Sequence, residues 1–421
     1  MLSGFRDDNV LRFLKFNNVY LLPVFGVLTF YIVPSILGVF YGEREFALKL
    51  LVLSLLSVLV YCFSYLFFLG PWFANFYRSA AKIRLNWPLF ACLILLSYFS
   101  VIIYAAMTAP GIALFEALRG ASLSEVSGLR EEFLKSREGW EKSLLYIYVI
   151  GFSAFMPLVI SRLFIARSKW RFVVLGAFLF SLALTLEKSR ALVAMLPLVV
   201  IFVNSGKAKK AYFVMFWLVL LIVLVSTLAR GGLSSETSTT AQESPLAAVP
   251  DEYNLFVGET SQVYYMINRV WYIPYVTAID WLRYREKVLN DENTLGRSIS
   301  AVAWLSGQER ISLEQEVFAF QWGQNESGTG SANTVFYVDA YLTFDYLGVV
   351  IYSILLAFCV RVCICSENRA LIACLTIPLF YVCFTTLTGV LFSGGLGFLL
   401  LLALFSRIDS VDGDSQKGLS P

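Results

Sequence analysis

Histidine is missing from all 421 residues of the chain. That absence removes a Ser-His-Asp triad, a histidine general base and any His-ligated metal. An acid or base must instead be a carboxylate, a Tyr, a Lys or a Cys. Also missing are a P-loop, a G-x-G-x-x-G turn and an EF-hand pattern, so nothing in the sequence supports binding of ATP, a dinucleotide or calcium, and no cofactor is implied. Energy for any reaction must then come from the substrate or from a gradient. The polar stretches 109–143 and 230–344 contain no cysteine, because Cys62, Cys92, Cys359, Cys363, Cys365, Cys374 and Cys383 all lie in or beside apolar runs. No disulfide framework follows, and Cys363 with Cys365, lacking a histidine or a second pair, read as reduced structural thiols rather than metal ligands.

Charge is scarce as well, at 15% of residues, while 58% are hydrophobic and the mean hydropathy is +0.70. A soluble domain does not have this composition. Apolar runs begin near Val19, Leu50, Pro88, Leu144, Phe172, Ala191, Ala211, Asp345, Leu371 and Val390. With roughly 20 residues needed to cross hydrocarbon, they predict about ten spans in an all-α, polytopic membrane protein. The opening residues 1–18 are polar and lead into a full-length span, which predicts no cleavable signal peptide.

Lys and Arg in the short loops predict the orientation. Arg6, Arg12 and Lys15 precede the first span, Arg78, Lys82 and Arg84 follow the second, and Arg162, Arg167, Lys169 and Arg171 close the fourth. Lys207, Lys209 and Lys210 follow the sixth, and Arg361 and Arg369 follow the eighth. All fall on one side if both termini are cytoplasmic. The expected organisation is a cytoplasmic start (1–18), seven spans (19–229) with an outer loop at 109–143, a large outer loop (230–344), three more spans (345–406) and a cytoplasmic tail (407–421).

Within this plan Glu187-Lys188-Ser189-Arg190 is anomalous, since it sets charge between the apolar runs 172–186 and 191–203. Charge at membrane depth is costly and marks function by default. The two short runs predict a hairpin whose tip faces outward, against the usual bias of basic residues toward the cytoplasm, which suggests an anion to hold. For an isolated cation near a span end, snorkelling to headgroups is the ordinary explanation. Two cations and a Glu on one outward tip weaken that explanation.

The large outer loop divides in three. Residues 230–251, with Gly231, Gly232 and many Ser and Thr, have the composition of a flexible connection. Residues 260–287 are dense in aromatics and compatible with a helix, on which Arg269, Asp280 and Arg283 fall near one face. Such a helix suits the headgroup level, as an anchor, as a grip on substrate, or as both. The third part passes through a Gly-rich turn at 323–328 to Asp339, which stands among aromatics a few residues before the apolar run at Asp345. A carboxylate beside a low-dielectric surface can gain proton affinity and serve as a general base, whereas the plainer reading is a helix-capping or surface Asp.

The segment Asn268 to Pro274, the run from Asn333 to Tyr341 passing into Phe344-Asp345-Tyr346-Leu347-Gly348-Val349, and the Lys188-Ser189-Arg190 hairpin resemble the Wzy-type polymerases of bacterial surface polysaccharides. This chain has Phe-Asp-Tyr-Leu-Gly where that family often shows Asn-Phe-Gly, so the local turn is expected to differ. The resemblance implies a GT-C-type glycosyltransferase of the bacterial inner membrane. Its substrates would be undecaprenyl-diphosphate-linked oligosaccharides, joined at the periplasmic face into O-antigen, capsule or exopolysaccharide. Membrane lipids, a flippase and a chain-length regulator are the implied neighbours, and nothing points to nucleic acid.

Transfer from a lipid diphosphate needs no external energy but does need cations at the membrane surface, and Arg offers phosphate a planar fork. Lys188, Arg190, Arg230 and Arg269 are the expected diphosphate ligands. The outer segment as a whole holds seven basic and fourteen acidic residues, so particular cations must converge. Asp339 is the first candidate for the base, with Glu187 and Asp280 behind it, and Trp271, Tyr272, Trp322 and Tyr341 are candidates to stack on sugars. An O-antigen ligase shares this plan, but its outer loop carries a functional histidine that this chain lacks. A lipid-linked oligosaccharide flippase would show internal repeats and charge in a central cavity, and neither is evident.

Overall fold

The computed structural model describes residues 16–41, 44–80, 82–134, 136–186, 188–228, 264, 267–322 and 331–407. Its helices are α1 (Asn18–Phe40), α2 (Arg44–Phe67), α3 (Pro71–Ser79), α4 (Trp87–Thr108), α5 (Ala113–Leu118), α6 (Leu123–Glu132), α7 (Gly139–Ile165), α8 (Arg171–Ala183) and α9 (Lys188–Asn204). There follow α10 (Ala208–Leu228), α11 (Ile273–Lys287), α12 (Ser300–Ser306), α13 (Leu313–Trp322), α14 (Phe336–Cys365), α15 (Arg369–Tyr381), α16 (Leu387–Phe392) and α17 (Leu396–Phe405). Two short strands, β1 (Ile83–Arg84) and β2 (Ser406–Arg407), pair in parallel.

Among the described residues α1, α2, α4, α7 and α14 are long and apolar enough to cross a membrane. Shorter apolar helices are α8, α15, α17 and the part of α9 from Met195 to Asn204. The chain is therefore mostly helical and membrane-embedded in character. Two predicted runs are each built of two pieces. The eighth, from Asp345, is preceded by a helical stretch from Phe336 with non-helical backbone at Phe344 and Asp345 between them, and the last is α16 and α17, joined through Gly395 in a left-handed conformation (φ 86°).

The sides of α2 show why such a sequence suits lipid. Leu48, Val52, Leu55, Leu59, Phe63 and Leu66 form an exposed stripe, spaced as one helical face. The opposite face buries Ser54, Ser57 and Tyr61, so the protein-facing side is the more polar one. Those hydroxyls are spent inside: Ser54 shares a hydrogen bond with Tyr337 (2.7 Å), Ser57 with Ser353 (3.0 Å), and Tyr61 donates to the Tyr20 carbonyl (2.7 Å). Such interhelical bonds contribute about 0.6 kcal/mol each on average in membrane proteins, and here they fix α2 against α14 and α1.

α14 lies along α2 and α17, while α15 is enclosed by α1, α7 and α9. Ala370 to Leu379 of α15 are buried without interruption, as expected of a helix that is apolar all round. Asn368 caps it by accepting from the amides of Ala370 and Leu371. The loop after α4 folds over the hairpin between α8 and α9. Leu186 is buried against Ala113, Ala117 and Val126 of this loop, and the Leu114 amide donates to the Leu184 carbonyl.

Candidate functional site

α14 is interrupted by non-helical backbone at Phe344 (φ −141°, ψ 24°) and Asp345 (φ 59°, ψ −151°). A break in an apolar helix strands carbonyls that the next turn would have bonded. Residues from the polar insert between α10 and α14 take them up in order. Arg285 Nη1 donates to the Tyr341 carbonyl (3.3 Å), the Thr294 amide to Leu342 (3.0 Å) and the Leu295 amide to Thr343 (3.1 Å). Gly348 completes the junction, because a Cβ there would stand 2.1 Å from the Ala340 carbonyl oxygen.

The half of α14 before the break carries Asp339, which is buried. Its amide donates to the Val335 carbonyl, and its own carbonyl accepts from Thr343 Oγ1 (2.8 Å). Val335 holds the N-cap position, so Asp339 is neither a surface residue nor the cap of its helix. Asp339 Oδ2 has no hydrogen-bond partner among the described residues, and the same is true of Thr334 Oγ1. An interior oxygen left in that condition costs about 1–3 kcal/mol. An oxygen in that condition marks a place where a proton, an ordered water or a ligand would complete the arrangement.

The insert brings further groups to this place. Trp281 Nε1 of α11 donates to the Ala332 carbonyl (3.0 Å), and the Ala332 amide donates to Glu314 on α13 (2.9 Å, backbone). Glu314 lies within electrostatic range of Asp339. Burial pushes the Glu314 carboxyl up, opposed by a hydrogen bond from Ser331 and by Arg310. Tyr284 donates to Glu316, joining α11 to α13. Burial and this carboxylate both push the Tyr284 phenol up.

Tyr341 gathers cations. Arg285 lies 4.0 Å from its ring centroid and Lys49 of α2 lies 5.4 Å away. Arg285 is itself buried, donates to the Asp291 carbonyl (3.3 Å) and Asn293 Oδ1 (3.1 Å), and pairs with Asp345 (3.4 Å). Lys49 forms no ion pair among the described residues. Asp280 is buried, and its Oδ1 accepts from Arg283 Nη1 (2.7 Å) one turn along its own helix.

The remaining predicted residues separate as follows. Arg269 is exposed on a π turn, Asn268–Tyr272, that leads into α11. Trp271 on the same turn donates its indole N–H to the Thr29 carbonyl of α1 (2.8 Å), which ties it to the bundle. Tyr272 is half-buried beside Tyr275. Burial raises its phenol while Arg283 lowers it. Lys188 and Arg190 stand in the first turn of α9. Their side chains, the Trp322 side chain, Glu187, Arg230, the flexible connection at 230–251 and the Gly-rich turn at 323–328 lie outside the described residues.

The aromatic helix differs from expectation in its surroundings. Tyr275 to Leu282 are buried without interruption, so α11 is enclosed by protein instead of lying on a headgroup layer. Sequence reasoning missed Lys49, Arg285, Glu314 and Tyr352, whose phenol lies within electrostatic range of Asp339. Only Lys49 left a signal, as the cation immediately before the apolar run at Leu50. The described residues hold no cluster of His, Cys, Asp and Glu able to bind a metal. No protein-family model, no curated protein and no solved structure matches this chain.

Proposed function

We propose that the chain is a polysaccharide polymerase: a multi-pass GT-C-type glycosyltransferase that joins undecaprenyl-diphosphate-linked repeat units. In this reading it has about ten spans and lies in the bacterial inner membrane, with both termini cytoplasmic and the insert periplasmic. The observation that carries the reading is Asp339, a buried carboxylate with one unpartnered oxygen at the head of an apolar span, beneath a polar insert rich in aromatics.

In the proposed reaction a hydroxyl of the incoming unit attacks the anomeric carbon of the lipid-linked chain. Asp339 takes the hydroxyl proton, the bond from the anomeric carbon to the diphosphate oxygen breaks, and undecaprenyl diphosphate leaves. Arg269, Lys188, Arg190 and Arg230 are the proposed partners of the diphosphate. Lys49 joins them, since it stands by Tyr341 with no carboxylate paired to it among the described residues. Glu187 and Asp280 remain behind Asp339 as bases. Trp271, Tyr272, Trp322 and Tyr341 are the proposed sugar-stacking aromatics.

The test is the surface polysaccharide of a strain that lacks the chain and is complemented with variants. Loss of a polymerase leaves single repeat units on the acceptor, loss of a ligase leaves none attached, and loss of a flippase traps units inside. Asp339→Asn should reproduce the single-unit profile, with a rate loss on the order of 10²–10⁴ for a removed general base. Normal long chains from Asp339→Asn would dismiss Asp339 as the base, and normal chains from both Arg190→Ala and Arg269→Ala would dismiss the diphosphate site.

A further inference from the structure

A second polar site lies at the other end of α14, most of that helix away from Asp339. There the chain forms a cleft of about 330 Å³ walled by Tyr77, Arg78, Lys82, Glu367, Asn368 and Arg407. Three separate stretches of chain meet in it: α3 and the residues after it, the turn between α14 and α15, and the end of α17. Pairing of β1 with β2 holds the first and last of these together. Tyr77 is buried, donates to the Ala403 carbonyl (2.8 Å), and carries Lys82 Nζ at 3.5 Å from its ring centroid. The lysine is thus held against a fixed wall.

The charge in this cleft is unbalanced. Arg78, Lys82 and Arg407 form no salt bridge among the described residues, and Glu367 is the one carboxylate in the lining. Burial lowers the proton affinity of Lys82, and Arg407 adds to that lowering while Cys365 and Glu367 oppose it. The amides at the head of α15 are already taken by Asn368, so the cations are the groups left to meet an anion. The elements that form the cleft also carry large exposed apolar side chains: Trp72 and Phe76 on α3, Ile83 on β1 and Phe405 at the end of α17. A cationic recess formed by elements that also expose large apolar side chains, at the end of a membrane-crossing helix, has the two halves of a phospholipid as its complement.

We propose that this cleft binds the headgroup of an anionic phospholipid, its phosphate held by Arg78, Lys82 and Arg407 and its acyl chains lying along Trp72, Phe76, Ile83 and Phe405. The site is independent of the polymerase reading, since it uses none of the residues around Asp339. Arg supplies the fork and Lys the point charge that phosphate oxygens accept.

Binding is to be measured on the purified full-length chain in detergent, by titration with short-chain phosphatidylglycerol, with phosphatidylcholine of equal chain length and with inorganic diphosphate. Phosphatidylglycerol should bind tightest, and Arg78→Gln or Lys82→Gln should each weaken it by about fivefold, the worth of one basic residue near an anionic lipid surface. Lys209→Gln, a cation outside the cleft, should change nothing. Glu367→Gln should tighten binding, which keeps the proposal testable if the Arg and Lys variants misfold. Equal affinity for the two lipids, an equal effect of Lys209→Gln, no tightening by Glu367→Gln, or diphosphate binding as tight as phosphatidylglycerol would overturn it, the last outcome pointing to a soluble anion.

Discussion

Replacing Arg285 with Ala removes the side chain that joins the polar insert to the broken span. Its guanidinium donates to the Tyr341 and Asp291 carbonyls and to Asn293, at 3.1–3.3 Å. Bonds of that length from a charged donor contribute about 1 kcal/mol each. The Asp345 carboxylate at 3.4 Å is nearly half exposed, so solvent screening leaves that pair worth under about 1 kcal/mol. Contact with the Tyr341 ring, at 4.0 Å, adds about 1 kcal/mol. The sum, roughly 3–5 kcal/mol, matches what removing one member of a buried charged network costs elsewhere. Unfolding by SDS titration in mixed micelles measures it. Arg285→Lys should recover less than half, because one ammonium cannot span three acceptors, and Asp345→Asn should cost under about 1 kcal/mol. A loss below about 1 kcal/mol for Arg285→Ala, or a Lys variant as stable as the parent, would refute the reasoning.

Gly348→Ala places a Cβ 2.1 Å from the Ala340 carbonyl oxygen and 3.1 Å from the Phe344 Cβ. It should destabilise by about 3 kcal/mol in the same titration, and an unchanged midpoint would mean that the junction is looser than described. Burial raises the Glu314 carboxyl, so its contribution to stability is full below its ordinary value of 4.5 and is lost as pH rises through the elevated one. Glu314→Gln should therefore flatten the decline in stability above pH 4.5, and an unaltered pH profile would show that this carboxyl is solvated. Trp271→Phe removes the indole bond to the Thr29 carbonyl. It should cost about 1 kcal/mol, and a neutral result would mean that the π turn is not anchored there.

Helical, membrane-embedded character was legible from run length and composition, since a mean hydropathy of +0.70 leaves few alternatives. The helical stretch ahead of the eighth run was not. Asp345 reads as the polar edge of a span, and nothing near it in sequence shows that residues 336–343 form a buried helical segment whose last carbonyls are bonded by Arg285, Thr294 and Leu295 from distant sequence. Asp339 was legible as a residue type in a telling neighbourhood, while its burial under the insert was not. The aromatics of α11 read equally well as a headgroup belt or as a core, and only tertiary packing distinguishes the two. Lys49 and Glu314 sit in segments whose periodicity carries no mark of what they meet.

The break in α14 also makes the polar insert part of a span's own hydrogen bonding. The carbonyls of Tyr341, Leu342 and Thr343 are met by Arg285, Thr294 and Leu295 of the insert, where an unbroken helix would supply its own next turn. The insert therefore completes the helix that carries Asp339 instead of resting on it. A chain cut back at the insert would lose bonds inside a span as well as a covering above it.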